Sequence, residues 1–330
     1  MKNKRFKPIK LLHLLWILPA LLLLTVFALM YVVPAFETVD RTAVPGSADW
    51  MARLDDGLAL SEVTLPGTHD SATKNVQLAF FSKCQALDIG EQLEAGCRYL
   101  DIRLGADGER LKLMHGFTNC TTSGWPWAKA LYLDAVLEPC YAFLSAHPTE
   151  TVVFAVKQEH GSESVAQFQT LLNAYVQKQP DKWLLTDHIP TVGEARGRLV
   201  LMRRYADEAN LGAQSGIPLL WDNQNGHDDV SKHIAVHDNG SYTLSVQDRY
   251  EYDAPDKRNA FLEGLKAGVT APDAVSIHFL STKGTATYGH PYKFAKALNP
   301  KLMKTDGLSG WIVVDFASAA IAQHIYESNF

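Results

Sequence analysis

Eight short runs of β-branched and other apolar residues, separated by segments of helical periodicity, recur between residue 60 and the C-terminus. The runs are LSEVTLPG, RYLDIRLG, LKLMHG, TVVFAVKQE, RLVLMRRY, YTLSVQDRY, AVSIHFLS and WIVVDFAS. Between them fall DIGEQLEAG, WAKALYLDAVLEPCYAFLSAH, SVAQFQTLLNAYVQKQ, KRNAFLEGLKAGV, YKFAKALN and SAAIAQHIYES. Strands alternating with helices predict parallel βαβ units. About 280 residues carrying eight such strands fit one irregular (β/α)8 TIM barrel, a fold of about 250 residues. An open doubly wound sheet is the alternative, and its nucleotide-binding form is disfavoured because no G-x-G-x-x-G follows any strand. The sequence has no internal repeats and no low-complexity tract.

The N-terminus is of another kind. Leu11 to Val33 runs for 23 residues without a formal charge, and as a helix it reaches roughly 35 Å, enough to cross a hydrocarbon core of about 30 Å. Secretory signals have apolar regions of only about 7–15 residues, which favours an uncleaved transmembrane anchor over a long signal sequence. Five bases (Lys2, Lys4, Arg5, Lys7, Lys10) and no acid precede it. They predict a cytoplasmic segment 1–10 and an extracytoplasmic catalytic domain, secreted if the helix is cleaved. Residues 34–49 mix Pro, Gly, Ser and charge without periodicity and read as a tether, and the domain then occupies 50–330.

Of the 31 Lys and Arg, five lie in that segment, leaving 26 bases against 36 acids in the remainder. A nucleic-acid partner is thereby disfavoured, since such a partner requires basic surface. Cys84, Cys97, Cys120 and Cys140 are even in number and close in sequence, as expected of disulfides in an oxidising compartment. They lack the Cys-x-x-Cys spacing of a zinc site. Buried free thiols are the plainer alternative.

In a barrel, polar side chains at the C-terminal ends of strands point into the active-site mouth. Here those ends carry His69-Asp70-Ser71, Asp101-Ile102-Arg103, His115-Gly116, Lys157-Gln158-Glu159, Arg203-Arg204-Tyr205, Asp248-Arg249-Tyr250 and Asp315. Two histidines can act as base and acid near neutral pH. Arginine and lysine can hold a phosphodiester, and carboxylates beside the imidazoles can fix their tautomers. Together they suggest phosphoryl transfer without a metal. Asp101 and Arg103 share one strand face, so an ion pair beneath the rim is their plainer reading, and Lys157 also reads as a solvated strand-end charge. His160, His227, His233 and His237 lie in polar stretches and read as solvated loop residues.

The run Leu65-Pro66-Gly67-Thr68-His69-Asp70-Ser71-Ala72-Thr73 is followed by Cys84-Gln85, Gln92-Leu93, Gly96, Arg98 to Arg103 and His115-Gly116. This series resembles the catalytic X domain of phosphatidylinositol-specific phospholipases C, particularly the bacterial, metal-independent type. Thr151-Val152-Val153 with Lys157, Gly197 to Leu201 with Arg204, Gln247-Asp248 with Tyr250, Asn299-Pro300 and Val314-Asp315-Phe316 follow in the family's order, so the likeness spans about residues 50–320. It implies cleavage of membrane phosphatidylinositol to diacylglycerol and inositol 1,2-cyclic phosphate by a monomeric enzyme. It implies His69 as base oriented by Asp315, Arg103 as charge stabiliser, His115 with Asp70 as acid, and Asp101 behind Arg103 and His115. Lys157, Arg204, Asp248 and Tyr250 match inositol-binding positions, and strand alternation allows only one of Arg203 and Arg204 to face inward. Arg103 stands where the calcium-dependent branch keeps its cation, which implies no metal cofactor.

Trp125 and Trp127, ten residues beyond His115, suit either a membrane-dipping rim or the inward start of the next helix. Two rival functions are a metal-dependent glycerophosphodiesterase or sphingomyelinase D-like barrel, for which the acidic ligands are missing, and a non-catalytic inositol-lipid-binding module, which has no need of both histidines.

Overall fold

Each barrel strand buries an alternating set of apolar residues inside the sheet and ends that same set in a polar group. The computed structural model describes residues 11–224 and 234–330; the segment 1–10, His227 and His233 lie outside the described residues. Among the described residues twelve strands form the sheet: β1 Leu65–Thr68, β2 Tyr99–Asp107, β3 Arg110–His115, β4 Thr118–Asn119, β5 Val152–Gln158, β6 Trp183–Leu184, β7 Leu199–Arg203, β8 Ile217–Pro218, β9 Ala235–Asp238, β10 Thr243–Gln247, β11 Ala274–Phe279 and β12 Trp311–Val314. Their order is β6-β7-β5-β2-β1-β12-β11-β10-β9, with β8 also on β7. All neighbouring pairs along β6 to β10 are parallel.

The interior core is built by Leu65, Tyr99, Val153, Ala155, Val200, Met202, Leu244, Val246, Val275, Ile277, Phe279, Trp311 and Val313. The intervening residues Leu100, Ile102, Leu104, Phe154, Val156 and Leu201 face the other way and pack with helical residues such as Phe143, Phe168 and Leu172. Period two therefore sets the site. Continuing the interior sets upward gives Arg103 after Tyr99 and Asp101, Lys157 after Ala155, Arg204 after Met202, Asp248 after Val246 and Asp315 after Val313. Gly67 lets β1 approach β2, because a Cβ there would lie 2.8 Å from that of Tyr99.

The barrel is irregular. Among the described residues no backbone ladder joins β8 to β9 or β10; the Gln224 side chain bridges instead, donating to Val246 O at 3.1 Å and accepting from Asp248 N at 2.8 Å. LKLMHG, expected as a βαβ strand, is an antiparallel hairpin arm on β2, turned at Gly108 with φ +62°. The helix expected over 127–147 begins only at Asp134, since Ala130 and Tyr132 form bridges with Thr121 and Lys112. LSEVTLPG contributes a strand only at Leu65–Thr68 after a short 3-10 turn at Leu60–Glu62. His237 lies in β9 rather than in a loop, while His160 is in an exposed bend.

The four cysteines are free and buried, so the disulfide expectation is corrected. Cys120 and Cys140 lie in the helix-facing core and Cys97 in a separate cluster around Leu298, each as a small apolar side chain. Burial pushes the Cys97 thiol up to about 12. The apolar stretch is helical, and Trp16–Ala35 is long and apolar enough to span a bilayer; of these residues only Pro34, near its end, is buried. Residues 34–50, read as a tether, pack on the domain. Ser47 Oγ meets Tyr326 Oη at 3.0 Å, Trp50 Nε1 donates to Gly96 O at 3.0 Å, and Arg41 pairs with Glu91.

Candidate active site

A cavity of about 480 Å³ opens at the C-terminal ends of the strands, lined by His69, Arg103, His115, Lys157, Arg204, Asp248, Tyr250 and Asp315. Asp70 and Asp101 lie buried beneath it. The turn after β1 is fixed by Asp70, whose φ of +44° reverses the chain, and by Gln85 Nε2 donating to His69 O and Val314 O at 2.9 Å each. His115 arrives from the hairpin arm β3, and Arg103 and Lys157 are register partners on β2 and β5.

Asp70 is the hub. One carboxylate oxygen lies 3.2 Å from His69 Nε2 and 3.4 Å from His115 Nε2, and the other 3.2 Å from Arg103 Nε. Both are buried, yet neither makes an aligned hydrogen bond. The two imidazoles stand edge to face, 6.1 Å between centroids. His69 Nδ1 meets Asp315 Oδ1 at 2.8 Å, and His115 Nδ1 donates to the carbonyl of Ser82 at 2.8 Å. A carbonyl only accepts, so this contact puts a proton on His115 Nδ1 and turns Nε2 toward the cavity. Burial lowers the His69 pKa, but the charges of Asp315 and Asp70 outweigh it and leave that imidazole above its ordinary value.

Arg103 is shared by three carboxylates: Asp70, Asp101 at 3.0 Å and Glu159 at 3.4 Å. Burial opposes ionisation of Asp101, yet Arg103 and Arg204 hold it well below the usual carboxylate range. Glu159 went unrecognised in the sequence although Lys157-Gln158-Glu159 contains it, two residues from Lys157 and on the same face. It pairs with Lys157 at 2.7 Å and accepts from Gly116 N at 3.1 Å. Burial raises its pKa, but Arg103 and Lys157 bring it down to about 2. Arg204 faces the mouth, 3.4 Å from Asp101 and stacked 3.7 Å over Trp221, whereas Arg203 turns away to Ser215 and Tyr205 O. Trp221 also donates to Asp248 at 3.2 Å, and Tyr250 Oη donates to Asn223 at 3.1 Å. No motif in the sequence pointed to either loop residue.

Trp125 and Trp127 stack on each other at 5.5 Å and are 58% and 77% exposed, outside the cavity lining. They start no helix, so the inward reading is corrected. His69, Asp70 and Cys84 bring one ligand atom each within 4.8 Å of one another. Both imidazole nitrogens already face carboxylates, however, and burial keeps the Cys84 thiol protonated. What the arrangement offers is a base and an acid on one buried carboxylate with a guanidinium beside them, the set needed to move two protons across a phosphodiester.

The family model "Phosphatidylinositol-specific phospholipase C, X domain" matches residues 61–205. A 1-phosphatidylinositol phosphodiesterase of Staphylococcus aureus (strain Newman) is 30% identical over 309 residues, covering 85% of this chain and 94% of its own. One of Listeria monocytogenes is 27% identical over 312 residues, covering 85% and 84%. The structure of a mutant phosphatidylinositol-specific phospholipase C from S. aureus superposes with TM-score 0.73 and 25% identity over 86% of this chain and 98% of its own. The Listeria monocytogenes enzyme shares the fold at TM-score 0.64 and 22% identity. With its β1 turn, its paired imidazoles and its full-length relatives in agreement, this chain belongs to the phosphatidylinositol-specific phospholipase C family, alongside its bacterial members.

Proposed function

We propose that the protein cleaves phosphatidylinositol to diacylglycerol and inositol 1,2-cyclic phosphate, and that it does so without a metal. The observation that carries this is Asp70 bridging both imidazoles and Arg103 at 3.2–3.4 Å. Nε2 of His69 takes the proton from the inositol 2-hydroxyl, while Asp315 holds Nδ1–H. The 2-oxygen bonds to phosphorus as the bond to the diacylglycerol oxygen breaks, and His115, entering the step protonated on both nitrogens, delivers its Nε2 proton to that departing oxygen while Nδ1–H stays on Ser82 O. Arg103 stabilises the charge growing on the non-bridging oxygens, a preorganised contribution that needs no reorganisation during the reaction. Asp101 keeps Arg103 aimed. Lys157, Glu159, Arg204 and Asp248 surround the inositol ring with charged partners for its hydroxyls, and Tyr250 stacks on it.

The substrate lies in a bilayer, and the exposed span Trp16–Ala35 gives the protein a means of residing there. In this reading the helix anchors the domain on the extracytoplasmic side, and Trp125 and Trp127 enter the lipid interface.

Phosphorus NMR of the full chain with phosphatidylinositol vesicles in excess chelator tests the reaction. A five-membered cyclic phosphate signal is expected, and His69→Ala or His115→Ala should each slow its growth by about 10²–10⁴-fold. Activity that chelator removes and calcium restores would overturn the metal-free reading. Vesicle binding with no cyclic product would replace the enzyme by a lipid-recognition module.

A further inference from the structure

The chain leaves its apolar helix at Pro34 and is gripped at once. Lys83, buried despite its charge, donates to Pro34 O at 2.6 Å and to Glu37 O at 2.9 Å. The Glu37 side chain is 3% exposed and accepts from His290 Nε2 at 2.5 Å, and the His290 ring stacks on Phe80 at 4.1 Å. Ala28–Ala35 lies against the short helix Ala79–Ser82. A buried lysine and a buried glutamate are costly unless their partners are firmly placed, so such a set belongs to a fixed junction rather than to a loose tether.

None of these groups reaches the reacting atoms; their link to the chemistry is the Ala79–Ser82 helix. Four residues make too few internal hydrogen bonds to hold a helix in water. This one is held by its surroundings: the strap on one flank, and Cys84 N donating to Thr73 Oγ1 at 3.0 Å just beyond its end. Its last carbonyl, Ser82 O, is the acceptor for His115 Nδ1, and Leu78, Phe81 and Ser82 form one wall of the cavity.

We propose that the strap Pro34–Glu37, clamped by Lys83 and His290, is a positioning element of the active site that sets the aim of the protonated His115 ring through Ser82. The inference rests on the reading of His115 as the acid. If the Ser82 carbonyl moves, Nδ1–H loses its acceptor, the doubly protonated ring loses that support and rotates, and Nε2–H no longer points at the leaving oxygen. A displacement of about 1 Å is enough to matter at such a site. Attachment to the apolar helix and catalysis are then coupled, even for substrates in solution.

The test uses the full chain in detergent with two soluble inositol phosphodiesters, one releasing a short alkyl alcohol and one releasing p-nitrophenol. Expelling an alkoxide needs the acid, whereas nitrophenolate departs without it. Lys83→Met should lower kcat on the alkyl ester about tenfold with KM unchanged, and alter the nitrophenyl rate by less than about twofold, a selectivity His115→Ala shows more strongly. His290→Gln, which leaves Lys83 in place, should give the same selectivity with a smaller loss and guards against a Lys83→Met that fails to fold. Equal losses on both esters, or none on either, overturn the strap. A wild-type chain that forms no cyclic phosphate from either ester overturns the reaction assignment first, and the strap with it.

Discussion

Two arginines five residues apart, one buried and one half-buried, serve opposite ends of the barrel. Arg98, at the entry to β2, has no exposed surface. It donates to Glu150 at 2.7 and 2.9 Å, to Leu93 O at 2.7 Å, to Cys97 O at 2.9 Å and to Ala48 O at 2.8 Å, with Phe143 4.6 Å from its guanidinium carbon. Every donor is committed, mostly to backbone carbonyls. Arg103, within β2, is held by three carboxylates and lines a cavity. An odd separation along an extended chain sends the two side chains to opposite faces. The contrast separates a buried charge whose partners are saturated from a half-buried one that opens on a cavity and whose neighbours include oxygens lacking aligned hydrogen bonds.

Substituting both breaks the comparison open. Arg103→Leu should cost about 10²–10³-fold in kcat, the scale of one lost charge-stabilising donor, with a smaller stability loss than Arg98→Met because Arg204 and Lys157 still face Asp101 and Glu159. Arg98→Met should strand Glu150 and cost about 3–5 kcal/mol of stability, while the surviving folded fraction keeps its turnover. Urea titration beside cyclic phosphate formation reads both, and a stability loss in Arg103→Leu matching that of Arg98→Met would erase the distinction.

A smaller effect follows from His69. Its pKa lies above the ordinary 6.5 because Asp315 and Asp70 outweigh burial. A base must be neutral, so activity rises as pH climbs through that raised value, and the acid limb of kcat/KM falls above pH 6.5. A group whose folded pKa is raised stabilises the fold below its unfolded value and loses that contribution as pH rises through the folded one. Asp315→Asn removes a raising charge. The acid limb should move to lower pH, the extra stability at acid pH should shrink, and the rate should fall about tenfold to a hundredfold. A pH–rate profile with an unmoved limb would take His69 out of the base's role.

How much of this could be read from the sequence follows the same line. The inward set 99, 101, 103 and its counterparts on β5, β7, β10 and β12 are period-two patterns, so the mouth residues were legible from alternation and from the ordered motif pieces. The strand-end trio Lys157-Gln158-Glu159 contains Glu159, but the family motif matches only Lys157, which leaves Glu159 without a role. The hairpin arm carrying His115 was signalled by Asp107-Gly108, a turn pair that the apolar run after it masked. Trp221, Asn223, Glu37 and His290 lie on irregular segments whose placement depends on contacts distant in sequence. Four cysteines within 57 residues obeyed a counting rule, yet each fills a core site where a small apolar group fits.

The smallest effect concerns surface rather than charge. Trp125 and Trp127 are exposed, stacked and outside the cavity lining, so their expected influence on turnover is through where the domain sits. Indole rings favour the lipid interface, where the apolar body is buried and the N–H remains wet. On the proposed reading, in which Trp16–Ala35 tethers the domain, they serve for tilt rather than for capture. Replacing both by Ala should therefore reduce the rate on vesicles by roughly fivefold and leave a soluble inositol phosphodiester untouched. Equal losses on the two substrates would instead make the pair part of the barrel wall, and the separation between a structural end and a reactive end would then have to be redrawn around the hairpin that carries His115.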